Sequence, residues 1–345
     1  MAMDSSSNCT STDCTRVFLT HPPTLVGNAV LLALFAILIP IALALGIKYR
    51  SSGFAAAIAT GLALEVAGYI GRLLLHNNPN NGTDFAVFLV GTTLGPTCIC
   101  GAIFLVVPRI VAVYGEEYRT WRPAWYLLLF SALTTVSFIL ELAGSVVSTV
   151  QPKPTMVDTG VRVLVVGLAI QLVALTIFVF HAVLFAIALR TRQHGLDPKF
   201  APIYNSTLFK MFLAAFTVAT TLVVIRTAYR IVQIAEGFQS SIAQAEILLL
   251  VLDGVAMLIA VILLLACFPA RALGQSWSQT SARRLSRKPP QPIRPAPAQL
   301  PIAHLSPTYN RMSIKSSTSA HSPRKSSYPP PPPRGRGMVD SDALW

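Results

Sequence analysis

The 345-residue sequence predicts an all-α integral membrane protein of seven transmembrane helices, with its N-terminus outside and its C-terminus in the cytoplasm. Three observations lead there. Hydrophobic residues make up 53% of the chain and charged residues only 12%, against ~25% charged in ordinary soluble domains. The apolar residues gather in seven blocks, each long enough to cross ~30 Å of hydrocarbon, which takes about 20 helical residues. The basic residues are divided very unequally between the two alternating sets of connecting loops. Lipid offers no partner to backbone N–H and C=O groups, so the blocks read as helices. The short alternating strands of a membrane barrel are not seen.

Residues 1–24 form an extracytoplasmic segment that carries Asp4 and Asp13 but no basic run. A cleaved signal peptide is therefore not expected, and the first span serves as its own signal-anchor. The spans are Leu25–Ile47, Phe54–Leu75, Phe85–Val107, Ala124–Val147, Val163–Leu189, Phe209–Ile234 and Ile247–Phe268, within a membrane domain of residues 25–269. Pro40, Pro96 and Pro108 are expected to kink or end their helices. Gly61, Gly68 and Gly71 let neighbouring helices approach closely. Residues 270–345 are rich in Pro, Ser and Arg and poor in large apolar side chains, the composition of a disordered tail. The tail holds a polyproline II stretch, YPPPPPRGRG from Tyr328. It also holds RRLS (Arg283–Ser286) and SPRK (Ser322–Lys325), which match kinase-site patterns, so kinases and proline-motif binders are candidate partners there.

The net charge of +13 does not mark a nucleic-acid binder, because twelve of the 27 Lys and Arg residues lie after Phe268 and most others flank the spans. Lys48, Arg50, Arg109, Arg119, Arg122, Arg190, Arg192, Lys199 and Lys210 join those twelve on one side, a total of 21. Arg16, Lys153 and Arg162 are the three on the other. The positive-inside rule places the larger set in the cytoplasm, against anionic lipid. The sequons at Asn8 and Asn81 then fall outside, as glycosylation candidates, and the one at Asn205 falls inside. Cys9 and Cys14 precede the first span, where an extracytoplasmic setting is compatible with a disulfide or with two free thiols. Cys98, Cys100 and Cys267 lie in apolar runs without zinc-ligand spacing, and no metal or cofactor is expected.

The informative residues are the charges inside the spans: Glu65, Arg72, Glu141, Arg226, Arg230, Glu246 and Asp253. A central Arg or Asp costs roughly 2.5–3.5 kcal/mol to insert. Glu65 and Arg72 are seven residues apart, about two helical turns, and share a face with Tyr69 between them. Arg226 and Arg230 are four apart, with Gln233 continuing the stripe, and Glu246 and Asp253 are again seven apart. Three polar stripes facing one another would satisfy each other. Their depths suggest a polar cavity open to the outside, built with Gln171 as a further hydrogen-bonding residue. The competing reading is of ion pairs that only fix helix register. His181 is expected to be packed or hydrogen-bonded, with no catalytic role.

These residues resemble a known family. EVAGYIGR (Glu65–Arg72) is similar to the E-x-x-G-Y-x-x-R signature of the fungal seven-span lipid-translocating exporters, the RTA-like family. So are Pro96 with Arg109 at the end of span three, Gly167 with Gln171, and IRTAYR (Ile225–Arg230) followed by Gly237, Glu246 and Asp253. Pro269 matches the proline that ends the last span. The chain departs from the pattern in span four, where Thr134 and Glu141 stand in place of an acid and a glutamine. Gln233, Leu250 and Phe104 also differ from the usual residues. The resemblance implies a seven-span fold that moves sphingoid bases, sterol-like toxicants or porphyrins.

The expected function is translocation or export of, or resistance to, an amphipathic lipid-like molecule, with membrane lipids and that small molecule as partners. The plasma membrane is the expected location. Acids would suit a cationic amine head group, and arginines a phosphate. The chain has no G-x-x-x-x-G-K-[ST] loop for ATP, and no enzymatic activity is expected. The alternative is a seven-transmembrane receptor of a lipid-like ligand. Against it, Arg109 has no D-R-Y acid before it and the last span has no N-P-x-x-Y.

Overall fold

The computed structural model describes residues 22–79, 81–114, 123–150, 154–191, 206–238, 240–274 and 277. All of them belong to one compact unit. The helices are α1 (Leu25–Lys48), α2 (Ser52–Asn77), α3 (Gly82–Tyr114), α4 (Pro123–Val150), α5 (Pro154–Thr191) and α6 (Thr207–Ala235). A short α7 (Ser241–Gln244) precedes the seventh span, which has four parts: α8 (Glu246–Leu248), a π-helix (Leu249–Val255), α9 (Ala256–Ala266) and α10 (Pro269–Leu273). No strand occurs among the described residues. Among the described residues, seven helical segments are long and apolar enough to cross a membrane.

Proteins of water keep charges at the surface; here buried charges share the interior with an apolar core, and large apolar side chains also face outward. Val26, Ile37, Ile47, Phe180 and Ile247 lie on the outer surface, while Glu65, Glu141, Arg226, Arg230 and Asp253 are buried. A lipid surround explains both halves of that pattern, since it accepts apolar side chains and leaves charges to find partners inside the bundle.

Consecutive helices run up and down. At one end His76, closing α2, meets the Pro23 carbonyl before α1 at 2.8 Å. At the other end Phe268 packs on Tyr49 and Phe54, with ring centroids 5.6 and 5.3 Å apart. α2 packs most closely on α3, and α4 on α5. Glycine makes the first contact: a Cβ at Gly61 would stand 2.7 Å from the Gly95 carbonyl oxygen, and one at Gly68 would stand 2.8 Å from Thr92 N. α3 is the most enclosed of the spans, which is why it can carry buried polar residues on more than one side.

The prolines do not end their helices. Pro40 lies inside α1, and Pro96 and Pro108 inside α3, which continues to Tyr114. Helices through proline persist in lipid because neighbouring groups re-satisfy the freed carbonyl. Beyond residue 269, Ala270, Ala272, Leu273 and Trp277 join the main apolar core. The rest of the tail, with its kinase-like and polyproline motifs, lies outside the described residues, as do Asn8, Cys9, Cys14 and Asn205.

Candidate functional site

The intramembrane charges separate into a charged cluster, a polar group around Glu141, and a tie at the end of the bundle. The charged cluster joins α2, α3, α6 and the seventh span. Arg226 Nε lies 2.7 Å from Asp253 Oδ1, an ion pair without hydrogen-bond alignment. Arg230 Nη1 lies 3.7 Å from Asp253 Oδ2. Thr92 of α3 serves both arginines: its carbonyl accepts from Arg226 Nη2, and its hydroxyl accepts from Arg230 Nη2 at 2.7 Å. Arg230 also donates to Gln233 Oε1 at 2.9 Å. Arg226 has no exposed surface and Arg230 1%.

Glu65 and Tyr69 complete this cluster from α2. Glu65 interacts electrostatically with Arg226, Arg230 and Asp253, and a Cβ at Gly95 would stand 2.9 Å from its Cγ. Tyr69 stacks on Phe35, with centroids 5.6 Å apart. Its hydroxyl stands 2.5 Å from where a Cβ on Gly254 would be. Asp253 and Gly254 both belong to the π-helix. That widened turn sets the acid against the arginines and lets the backbone approach Tyr69. Single π-turns inside longer helices recur at functional sites.

Hydrogen bonding in this cluster is incomplete. Glu65 Oε1, the Tyr69 hydroxyl, Arg226 Nε and Nη1, Arg230 Nε and both Asp253 oxygens are buried without a hydrogen-bond partner among the described residues. Most buried polar atoms in native proteins do have one. The cluster is also closed from the surface, unlike the outward-open cavity that residue depth suggested.

Arg72 stands one step away. Its Nη2 is 3.7 Å from Glu246 Oε1, and its guanidinium lies 4.9 Å from the Phe88 ring centroid. Arg230 lies 5.6 Å from the same ring. Phe88 is thus shared by two cations, an arrangement that draws on the negative faces of the ring. Glu246 belongs to the tie at the bundle end. It accepts from Thr24 N at 2.5 Å, Thr24 Oγ1 at 3.0 Å and Asn28 Nδ2 at 3.3 Å, joining the start of α1 to the start of the seventh span.

Glu141 and Gln171 are not part of the charged cluster. They meet between α3, α4 and α5. Thr97 Oγ1 lies 2.5 Å from Glu141 Oε2 and 3.0 Å from Gln171 Oε1. Ser137 Oγ lies 2.5 Å from the Gly167 carbonyl oxygen and 3.1 Å from Glu141 Oε1. Gln171 Nε2 donates to Cys100 Sγ at 2.9 Å. Two turns further along α3, Phe104 stacks on Phe130 at 4.7 Å and meets Phe178 edge-on at 5.9 Å, an apolar floor beneath the polar group.

Elsewhere, His181 Nδ1 contacts the Ile177 carbonyl at 2.9 Å, the hydrogen-bonded role expected of it. Asn81 is exposed; its Nδ2 donates to Asp84 Oδ2 at 2.8 Å and its Oδ1 accepts from Thr83 N at 3.0 Å, at the start of α3. Among the described residues no three His, Cys, Asp or Glu side chains gather as a metal site. Thr92, Thr97, Ser137, Phe88 and Asn28 were not singled out by sequence reasoning. In a lone sequence a helical threonine signals nothing beyond a bond to its own preceding turn, which Thr92 also makes to Phe88 O at 2.8 Å.

A helical bundle with apolar faces outward and a charged, under-satisfied interior defines a polytopic membrane protein with a polar site at depth. Within that class the chain belongs to the family described as RTA1 like protein, which matches residues 58–276. It is 27% identical over 289 residues to the sphingoid long-chain base transporter RSB1 of Saccharomyces cerevisiae, covering 74% of each chain. It is 26% identical over 207 residues to protoporphyrin uptake protein 1 of the same organism, covering 59% of this chain and 64% of that one. Protein RTM1 of Saccharomyces cerevisiae is 25% identical over 231 residues, covering 64% and 71%. No solved structure matches.

Proposed function

We propose that this protein translocates amphipathic, lipid-like molecules across the membrane, with the charged cluster engaging the polar head group. The observation that carries this reading is the unfilled hydrogen-bonding capacity of Glu65, Tyr69, Arg226 and Asp253 in the membrane interior. The cluster holds both signs of charge, so its acids suit the ammonium of a sphingoid base and its arginines suit carboxylate or phosphate. Relatives named for a sphingoid base and for protoporphyrin support that breadth. Arg72, Glu246, Glu141 and Gln171 flank the route in this reading.

The finer features belong to the same proposal. The N-terminus lies outside and the C-terminus in the cytoplasm, supported by the bias of 21 basic residues to three. The protein sits in the plasma membrane, with Asn8 and Asn81 as glycan acceptors. Residues 1–24 form the outer segment, the membrane domain runs from residue 25 to the close of the seventh span, and the tail beyond sorts or regulates it through kinases or proline-motif binders.

Purified protein in liposomes tests the function. A fluorescent sphingoid base should cross the bilayer faster than in protein-free vesicles. Folded protein that accelerates neither a sphingoid base nor a porphyrin would contradict the proposal.

A further inference from the structure

Around Glu141 there are more acceptors than protons. Glu141 Oε1 and Oε2, Gln171 Oε1 and the Gly167 carbonyl oxygen crowd the hydroxyls of Thr97 and Ser137. Each hydroxyl has one proton to donate. Ser137 is nearer the Gly167 carbonyl, at 2.5 Å, than Glu141 Oε1, at 3.1 Å, so its proton goes to the carbonyl. Thr97 then has one proton for three oxygens, Glu141 Oε2 at 2.5 Å, Gln171 Oε1 at 3.0 Å and the Thr93 carbonyl at 3.3 Å. With Glu141 as a carboxylate and the Gln171 amide oxygen turned to Thr97, one of those contacts would set two bare oxygens at hydrogen-bond distance.

A proton on Glu141 Oε2 removes the conflict at Thr97 and leaves only the longer Ser137 contact, at 3.1 Å, without a proton. Glu141 then donates to Thr97, Thr97 donates to Gln171 Oε1, and Gln171 Nε2 donates to Cys100 Sγ, giving one directed chain from α4 through α3 to α5 and back. The electrostatic surroundings agree. The titratable or charged groups facing Glu141 are Cys98 and Cys100 of α3 and Arg226 of α6. Arg226 is already engaged with Asp253 at 2.7 Å. α4 and α5 present hydroxyl, amide and backbone groups. Glu141 has no exposed surface, and a carboxylate so placed with no cation of its own is expensive.

We infer that Glu141 is a proton-binding site: a neutral carboxylic acid heading the Thr97–Gln171–Cys100 chain, whose proton is exchanged as the protein moves its cargo. This deepens the transport reading above and rests on it. On release the O–H bond of Glu141 breaks, the electron pair stays on the carboxylate and the proton passes to water as hydronium. The Thr97 and Ser137 hydroxyls turn to donate to the carboxylate left behind. Uptake reverses these steps. Acids inside membrane spans commonly serve as proton relays in pumps and transporters.

Two measurements test the inference. Infrared difference spectra of liposome-reconstituted protein at neutral pH should contain the C=O stretch of a protonated carboxyl. Glu141→Gln should remove that band, and Gln171→Leu, which cuts the chain but keeps the acid, should shift it. Folded wild-type protein with no protonated-carboxyl band sensitive to Glu141→Gln would overturn the site. In the second measurement, movement of a fluorescent sphingoid base is compared with and without an imposed pH gradient. The ratio of initial rates should depart from one in wild type and return to one in Glu141→Gln. A wild-type rate indifferent to the gradient overturns the coupling and leaves transport standing. Vesicles that move no amphiphile overturn the transport reading instead, and the infrared band still decides the site.

Discussion

Thr92 and Thr97 stand five residues apart on α3 and serve two polar groups that meet burial in different ways. Around Thr92, charge is answered by charge: Arg226 and Arg230 share Asp253, and Glu65 adds its field. Yet many of those atoms have no hydrogen-bond partner. Around Thr97 the reverse holds. Both oxygens of Glu141 are within hydrogen-bond distance of hydroxyls, and none of its described contacts is a cation at ion-pair range. The low dielectric of the interior penalises both kinds of omission. The first group pairs its charges and leaves hydrogen-bonding atoms without a partner among the described residues; the second meets its acid with hydroxyl groups.

The largest expected effect falls on the ionic group. Asp253→Asn removes the acid that both Arg226 and Arg230 approach. Stripping one partner from a buried pair costs about 3–5 kcal/mol. Thermal unfolding of the variant in nanodiscs should show that loss, and amphiphile movement should stop. Replacing both members, Arg226→Met with Asp253→Leu, should recover most of the stability and none of the movement. A single variant as stable as wild type would show that the ionic contacts do not hold this region together.

The helices and the charge stripes were legible because each rests on spacing along one helix. Long apolar runs mark spans, and residues four or seven apart share a face, which is how Arg226 with Arg230, and Glu65 with Tyr69, come to stand together. What was illegible depends on which faces meet. Glu141 reads as another member of the charged set, but α4 packs on α5 and α3, so its neighbours are Thr97, Ser137 and Gln171. Glu246 reads as lining, but its nearest donors come from Thr24 and Asn28 at the distant N-terminal end of α1. The π-turn at Asp253 has no sequence signature at all. It arises where one extra residue per turn lets the acid and Gly254 reach their neighbours.

A smaller effect is expected on the neutral side. Thr97→Val keeps the shape of the side chain and removes the hydroxyl between Glu141 and Gln171. Leaving buried polar groups without their partner costs about 1–3 kcal/mol. The same unfolding measurement should therefore place Thr97→Val above Asp253→Asn in stability. If Thr97→Val proves the more damaging, the carboxyl there is ionised and leans on that hydroxyl, and the contrast between the two groups collapses.

The smallest effect concerns an arginine that belongs to neither group. Arg109, near the far end of α3, has the Trp277 ring as its described partner, with the guanidinium 3.4 Å from the ring centroid. It makes no ion pair among the described residues. Trp277 is 6% exposed and lies three residues beyond Gly274. Cutting the chain after Gly274 removes the ring and leaves Arg109 half-buried beside an opened apolar surface. A cation–π contact is worth about 0.5–1 kcal/mol at exposed sites and about 2 when desolvated, so a loss of about 1–2 kcal/mol is expected. Cutting after Trp277 removes the remaining tail, with its RRLS and polyproline motifs, and should leave unfolding unchanged. The pair of truncations separates the packed edge of the bundle from the tail. Equal stability after both cuts would mean that Trp277 contributes nothing to the bundle, and that the membrane domain closes at Pro269 as composition alone suggested.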